Sequence, residues 1–153
     1  VSADAAQKAG FTVAQSLEHA DIAIVRTATP HQMLHPNFFF GVRQHEGDLD
    51  FKEDNADLKA VRAAAAAKVP VVVAIYLDRP AILTNVAPHA SAIIANFGAT
   101  DEALFDALTG RVAPQGRLPF ELPRSMDSVK RQRADIPHDS GDALYLIGAG
   151  GRY

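Results

Sequence analysis

The chain has 153 residues, 48% of them apolar and 22% charged, and a formal net charge of −3. That is enough for one soluble domain with a real core, and it offers no basic face for nucleic acid. With no cysteine, disulfide frameworks, thiol catalysis and cysteine-ligated zinc are excluded. No apolar run approaches the ~20 residues that span a bilayer; the longest strongly apolar stretch, Val69 to Leu77, is strand-length. Neither nucleic acid nor a membrane is expected as a partner. The chain opens on Val1 and carries no visible signal peptide, so an upstream segment is expected to have been removed or left out.

In chain order, Ser2 to Ala9 predicts a short helix capped by Ser2 and stopped at Gly10. Thr12 to Ala20 predicts a second short helix, or a strand and a turn. Ile22 to Thr27 is β-branched and apolar and predicts a strand. Ala28 to Phe51 has no clean period and holds Pro30, Pro36, Gly41 and Gly47, three histidines and four of the eight phenylalanines. A loop of that length in a compact domain is usually functional or disordered, and its aromatic content argues against disorder.

Asp54 to Lys68 predicts a helix, with Asp54 as cap, Asp57 in the first turn, and a run of alanines at 63 through 67 for close packing on a sheet. Pro70 stops it. Val71 to Leu77 is continuously apolar, as a parallel strand covered on both faces would be. Pro80 to Val86 reads as a turn of helix and Ser91 to Phe97 as another buried strand. Thr100 caps a helix running to Thr109 that Gly110 ends. Leu118 to Leu122, framed by prolines, reads as an edge or irregular strand. Ser125 to Gln132 reads as helix, with Arg124, Lys130, Arg131 and Arg133 as a solvated face. The tail from Ala134 is loop-like. The alternation of strand and helix predicts an α/β fold with a mostly parallel sheet flanked by helices. Ligands in such sheets sit beyond the carboxyl ends of the strands. The long loop, the Asp78-Arg79-Pro80 turn and the Asn96 to Thr100 segment all fall there.

No glycine-rich phosphate loop opens a helix, so no nucleotide cofactor is expected. His31, His35 and His45 share the long loop with Glu46 and Asp48, and histidine with carboxylate is a zinc-type ligand set; loop histidines are more often solvated or bonded to backbone, and no metal is expected. No Gly-x-Ser-x-Gly elbow is present. The carboxylates remain. Alternation over Asp48-Leu49-Asp50-Phe51 puts both aspartates on one side of an extended segment. Glycosidases work with paired carboxyl groups, and the proton donor of the pair needs a raised pKa. Phe38, Phe39 and Phe40 are candidates to raise it by desolvation. On spacing alone the plainer arrangement is favoured, in which those rings anchor the loop to the core and the acids are solvated.

Several ordered segments resemble the carboxyl-terminal domain of family 3 glycoside hydrolases, the β-glucosidase and β-xylosidase group. They are Ala20 to Arg26, Glu46-Gly47-Asp48-Leu49-Asp50-Phe51, Val71 to Ala81, Ala95 to Leu104, Gly116 to Pro123, and Leu144-Tyr145 with a glycine-rich close at Tyr153. The set covers nearly the whole chain. The closing residues Gly148 to Tyr153 depart from the family's usual Phe-Gly-x-Gly-Leu-Ser-Tyr ending.

The resemblance implies a three-layer α/β sandwich that lacks its first strand on the amino-terminal side. It also implies a partner, the barrel domain of the same enzyme, which holds the nucleophilic aspartate. The substrate implied is a β-linked glucoside, xyloside or oligosaccharide, cleaved with retention and without cofactor or metal. In that family the acid/base usually comes from a loop like the one ending at Phe51. Glu46 is the candidate by residue type and location, with Arg43 and His45 as candidate sugar contacts. The chain alone is expected to be inactive, and a periplasmic or extracellular setting is favoured. The alternative is a sugar-contacting or structural domain that donates no proton. Asp78-Arg79-Pro80 is expected to hold the loop by a charge-assisted hydrogen bond.

Overall fold

The computed structural model describes residues 1–151; Arg152 and Tyr153, the close of the resemblance, lie outside the described residues. Three strands, β1 (Ala23–Ala28), β2 (Val71–Tyr76) and β3 (Ala92–Asn96), form a parallel sheet in the order β1-β2-β3. Ala23 pairs with Val71 at one end of the β1–β2 ladder, and Tyr76 with Asn96 at the end of the next. Helix α1 (Ala3–Lys8) precedes the sheet, α2 (Ala56–Ala66) connects β1 to β2, and α3 (Asp101–Leu108) and α4 (Met126–Arg131) follow β3.

Alternation along the strands divides the core between two faces. Ala23, Val25, Val71, Val73, Ile75 and Ile93 turn toward α2 and meet Leu58, Val61 and Ala64, together with Phe51 and Leu83. On the other face Ile24 meets the Ala5, Ala6 and Phe105 cluster that joins α1 to α3. Helices on both faces of a parallel sheet make the three-layer α/β arrangement the sequence predicts. Among the described residues only β2 is flanked by strands on both sides, and Val71 through Ile75 are buried accordingly. β3 is an edge strand and half exposed, not the buried strand expected of Ser91 to Phe97.

The caps show the local logic. Ser2, Thr100 and Ser125 each accept a backbone N–H from the first turn of their helices. α2 is capped by Asn55, not by Asp54, and ends two residues before Lys68. Lys68 sits past the end at φ +60. Its N–H donates to the Ala65 carbonyl at 3.0 Å and the Val69 N–H to Ala64 at 3.1 Å, a pattern that satisfies the last carbonyls through a left-handed residue.

Three further expectations are corrected. Thr12 to Ala20 holds only a 3-10 turn at Leu17–His19; residues 12–19 are exposed, and a helix that short needs a buried face. Pro80 to Val86 is not helical. Ala81, Ile82 and Leu83 are buried in succession, which no one-sided helix allows, and Ile82 pairs in parallel with Asp50. Leu118 to Leu122 forms no regular strand. It meets the tail antiparallel through a Leu122–Tyr145 bridge and the Leu118–Ala149 bond. Arg124, Lys130, Arg131 and Arg133 are exposed.

Candidate active site

The long loop between β1 and α2 begins and ends on the carboxyl edge of the sheet. Its two limbs run antiparallel at Gln32 and Glu46, which exchange backbone hydrogen bonds of 2.8 and 3.2 Å. Two glycines make the closure possible. A Cβ on Gly41 would stand 1.7 Å from the His35 carbonyl oxygen. Gly47, at φ +71, passes so close to Gln32 that a Cβ there would lie 2.0 Å from Oε1. The outgoing limb is extended. Leu49 and Phe51 are buried, and Lys52 Nζ reaches Asp48 at 2.5 Å and Asp50 at 3.7 Å on the opposite side. The alternation expected of 48–51 is therefore present, with Lys52 balancing the aspartates and lowering the Asp48 pKa through its hydrogen bond.

The loop is clamped from β2. Arg79 donates to the Pro30 carbonyl at 2.6 Å on the incoming limb, and to Gly47 and Asp48 at 3.3 and 3.4 Å on the outgoing limb. Thr29 Oγ1 returns a bond to the Arg79 carbonyl at 2.8 Å. A planar guanidinium can bond several carbonyls in a fixed geometry, so this residue closes the loop at its neck. The charge-assisted bond expected of Asp78-Arg79-Pro80 is the Arg79 clamp.

Glu46 lies inside the closed loop, its side chain 24% exposed. Oε1 accepts from His35 Nδ1 at 2.7 Å, and Oε2 accepts from the Leu34 and His35 N–H groups, each at 3.2 Å. The His35 hydrogen bond is the largest influence and, with the two backbone donors, holds the carboxyl below its ordinary range against a smaller opposing desolvation. The candidate desolvating rings do not do this work: Phe38, Phe39 and Phe40 are exposed, Phe39 at 92%. Nor do they anchor the loop to the core. Short local turns, Phe38 to His35 and Gly41 to Phe38, carry them outward. Phe38 stacks on the His35 ring with centroids 5.0 Å apart, and Phe39 meets Phe40 edge-on.

His45 turns the other way. Its Nδ1 pairs with the Asp78 carboxylate, and its ring lies on that of His31 at 3.9 Å and 12°. Arg43 sits exposed at the end of a 3-10 turn, Gly41–Arg43, and among the described residues its guanidinium makes no ion pair. The structure thus brings Glu46 and His45 to one clamped limb and leaves Arg43 apart. Among the described residues no three histidine or acidic side chains converge as metal ligands would.

Sequence reasoning missed two partners. His35 was visible only as a loop histidine, and nothing in its spacing marks it as the group that holds Glu46. Asp78 was visible only as part of a turn. A separate cleft of about 500 Å³ opens at the carboxyl ends of all three strands, lined by Arg26, Thr27, Asp57, Tyr76, Asn96 and Gly98 among others. Its charged groups are already matched within the fold, Arg26 with Asp101 and Asp57 with Thr27. Glu46, His45 and His35 do not line it. The loop carries Glu46 with His35, and separately His45 with Asp78, on limbs joined by the Arg79 clamp.

Comparison with known proteins agrees with this architecture. The model of the family described as "Glycosyl hydrolase family 3 C-terminal domain" matches residues 4–153. A periplasmic beta-glucosidase/beta-xylosidase of Dickeya chrysanthemi is 48% identical over 150 residues, covering 98% of this chain and 23% of that protein. Beta-glucosidase C of Emericella nidulans is 38% identical over 143 residues, covering 94% of this chain and 22% of its own length. The crystal structure of a beta-glucosidase from Listeria innocua in complex with isofagomine superimposes with a TM-score of 0.66 at 18% identity, over 90% of this chain and 21% of that one. At that identity the structural likeness concerns the fold. The chain spans less than a quarter of the length of these relatives.

Proposed function

Because the chain belongs to the family of glycosyl hydrolase family 3 C-terminal domains, we propose that it serves within a larger retaining β-glycosidase as the domain that covers the active site and supplies the acid/base, Glu46. The substrates in this reading are β-linked glucosides or xylosides, as the names of the Dickeya and Emericella relatives suggest. A barrel domain elsewhere in the enzyme contributes the nucleophilic aspartate, and the chain alone does not turn over substrate. Relatives more than four times as long support this division. The setting proposed is periplasmic, after the Dickeya relative; no helix among the described residues is long and apolar enough to cross a membrane.

The chemistry takes two steps. The aspartate attacks the anomeric carbon as Glu46 gives its proton to the departing oxygen. Glu46, now a carboxylate, takes a proton from the water that attacks the same carbon and frees the aspartate. His45 and Arg43 contact sugar hydroxyls. The observation that carries the reading is the placement of Glu46 on a loop fixed at its neck by Arg79, at the edge of the sheet where ligands gather.

The test is Glu46→Gln in the enzyme that contains this chain. With a poor leaving group kcat/KM is expected to fall by about 10²- to 10⁴-fold, and with an activated aryl leaving group far less, because its departure needs little protonation; kcat on the activated substrate falls too, because the second step loses its base. A kcat/KM within a few-fold of wild type on the poor leaving group contradicts the assignment.

A second reading has one observation in its favour. Every hydrogen bond on Glu46 stabilises its charged form, which suits a residue that accepts sugar hydroxyls and donates no proton. In that case both leaving groups slow alike.

A further inference from the structure

The His45–Asp78 pair has a consequence for how a sugar is read. An ionised carboxylate can only accept. Asp78 takes the Nδ1 side of the His45 ring, so in the neutral imidazole the proton stands on Nδ1 and Nε2 carries a lone pair. One face of the ring lies on His31, with centroids 3.9 Å apart and the planes 12° from parallel. The backbone beside it is tied to the opposite limb through the Glu46–Gln32 bonds. Asp78 follows Leu77, which lies just past β2 and is 1% exposed, and the next residue is the Arg79 clamp. The Asp78 side chain is 16% exposed and that of His45 43%, so the partner is sheltered and the ring is partly open to solvent.

We propose that Asp78 is a positioning residue that fixes the tautomer of His45 and so presents Nε2 outward as a hydrogen-bond acceptor for a sugar hydroxyl. This rests on the reading in which the loop faces the sugar, and it adds the polarity of one contact: the substrate group opposite His45 must donate. One turn at the end of the central strand then performs two tasks. Arg79 sets the backbone of the loop, and Asp78 sets the hydrogen-bonding character of one side chain on it. Partners that orient a functional histidine through its second nitrogen act in the same way at metal sites.

The tautomer is read directly by two-bond ¹H–¹⁵N correlation spectra of the chain labelled with ¹⁵N-histidine, recorded about two pH units above the ordinary histidine range. The expected result is a protonated Nδ1 and a bare Nε2 for His45. Asp78→Ala is expected to return the ring to the Nε2–H form that free imidazole prefers in water. A wild-type spectrum with the proton on Nε2 overturns the proposal, and needs no variant to fold. A variant spectrum unchanged from wild type overturns the role of Asp78. In the enzyme that contains this chain, Asp78→Ala is expected to raise KM for a β-glucoside about five- to tenfold, the loss of one neutral hydrogen bond, with kcat within about twofold. An unchanged KM overturns the sugar contact. The spectrum does not depend on which residue is the acid, so failure of the Glu46 assignment and failure of the tautomer assignment are separable.

Discussion

At the scale of single residues the proposed site turns on Glu46 and the histidine that holds it. His35 lowers the Glu46 pKa more than any other contact. A general acid works while it is protonated, so activity falls as pH rises through its pKa. Removing His35 takes away the largest stabilisation of the carboxylate and moves that pKa upward, while the Leu34 and His35 backbone donors remain. His35→Ala is therefore expected to shift the basic limb of the kcat/KM profile to higher pH in the enzyme containing this chain. A limb that stays in place, or moves to lower pH, would show that Glu46 is not the acid being titrated. In the proposed mechanism the same contacts suit Glu46 to the second step, since a carboxylate is what must take the proton from water.

At the scale of elements, the loop and α2 show what local sequence can and cannot specify. α2 is closed by a left-handed residue that is not glycine. Lys68 at φ +60 carries a Cβ where a left-handed backbone crowds it. Lys68→Gly is expected to raise the unfolding free energy of the chain by about 0.5–1 kcal/mol, read by urea unfolding; a loss of stability would contradict the left-handed cap. The sequence located this helix through its alanines and its stop at Pro70, and β2 through its unbroken apolar run, because burial on both faces leaves a strong pattern. It misplaced the cap by one residue, since Asp54 and Asn55 are both good caps and only the chain's entry angle chooses between them. It misread Pro80 to Val86, where Ala81 to Leu83 pack under the loop instead of along a helix face. The loop itself was legible as a loop. Its interior was not: the pairing of His35 with Glu46 and of His45 with Asp78 spans 11 and 33 residues, and no periodicity records contacts of that kind.

At the scale of the whole molecule, the chain is a three-layer α/β unit whose central strand ends in a turn that organises one long loop. The outer edges of β1 and β3 pair with no other strand among the described residues. The family match and the relatives identify the domain, and the loop gives the larger enzyme a proposed acid/base. The exposed Phe38, Phe39 and Phe40, which the sequence set beside the acid as desolvating rings, stand outward on the loop instead.

The most direct measurement is azide rescue of Glu46→Ala in the enzyme that contains this chain. Azide needs no base to attack, so it replaces a missing acid/base at the second step but not a missing sugar contact. With an activated aryl β-glycoside, the predicted result is a rise in rate with azide concentration and a β-glycosyl azide as product, as retention requires. A variant that is impaired yet gains no rate from azide and forms no glycosyl azide would contradict the account, and would leave Glu46 as a contact residue in a domain that gives no proton.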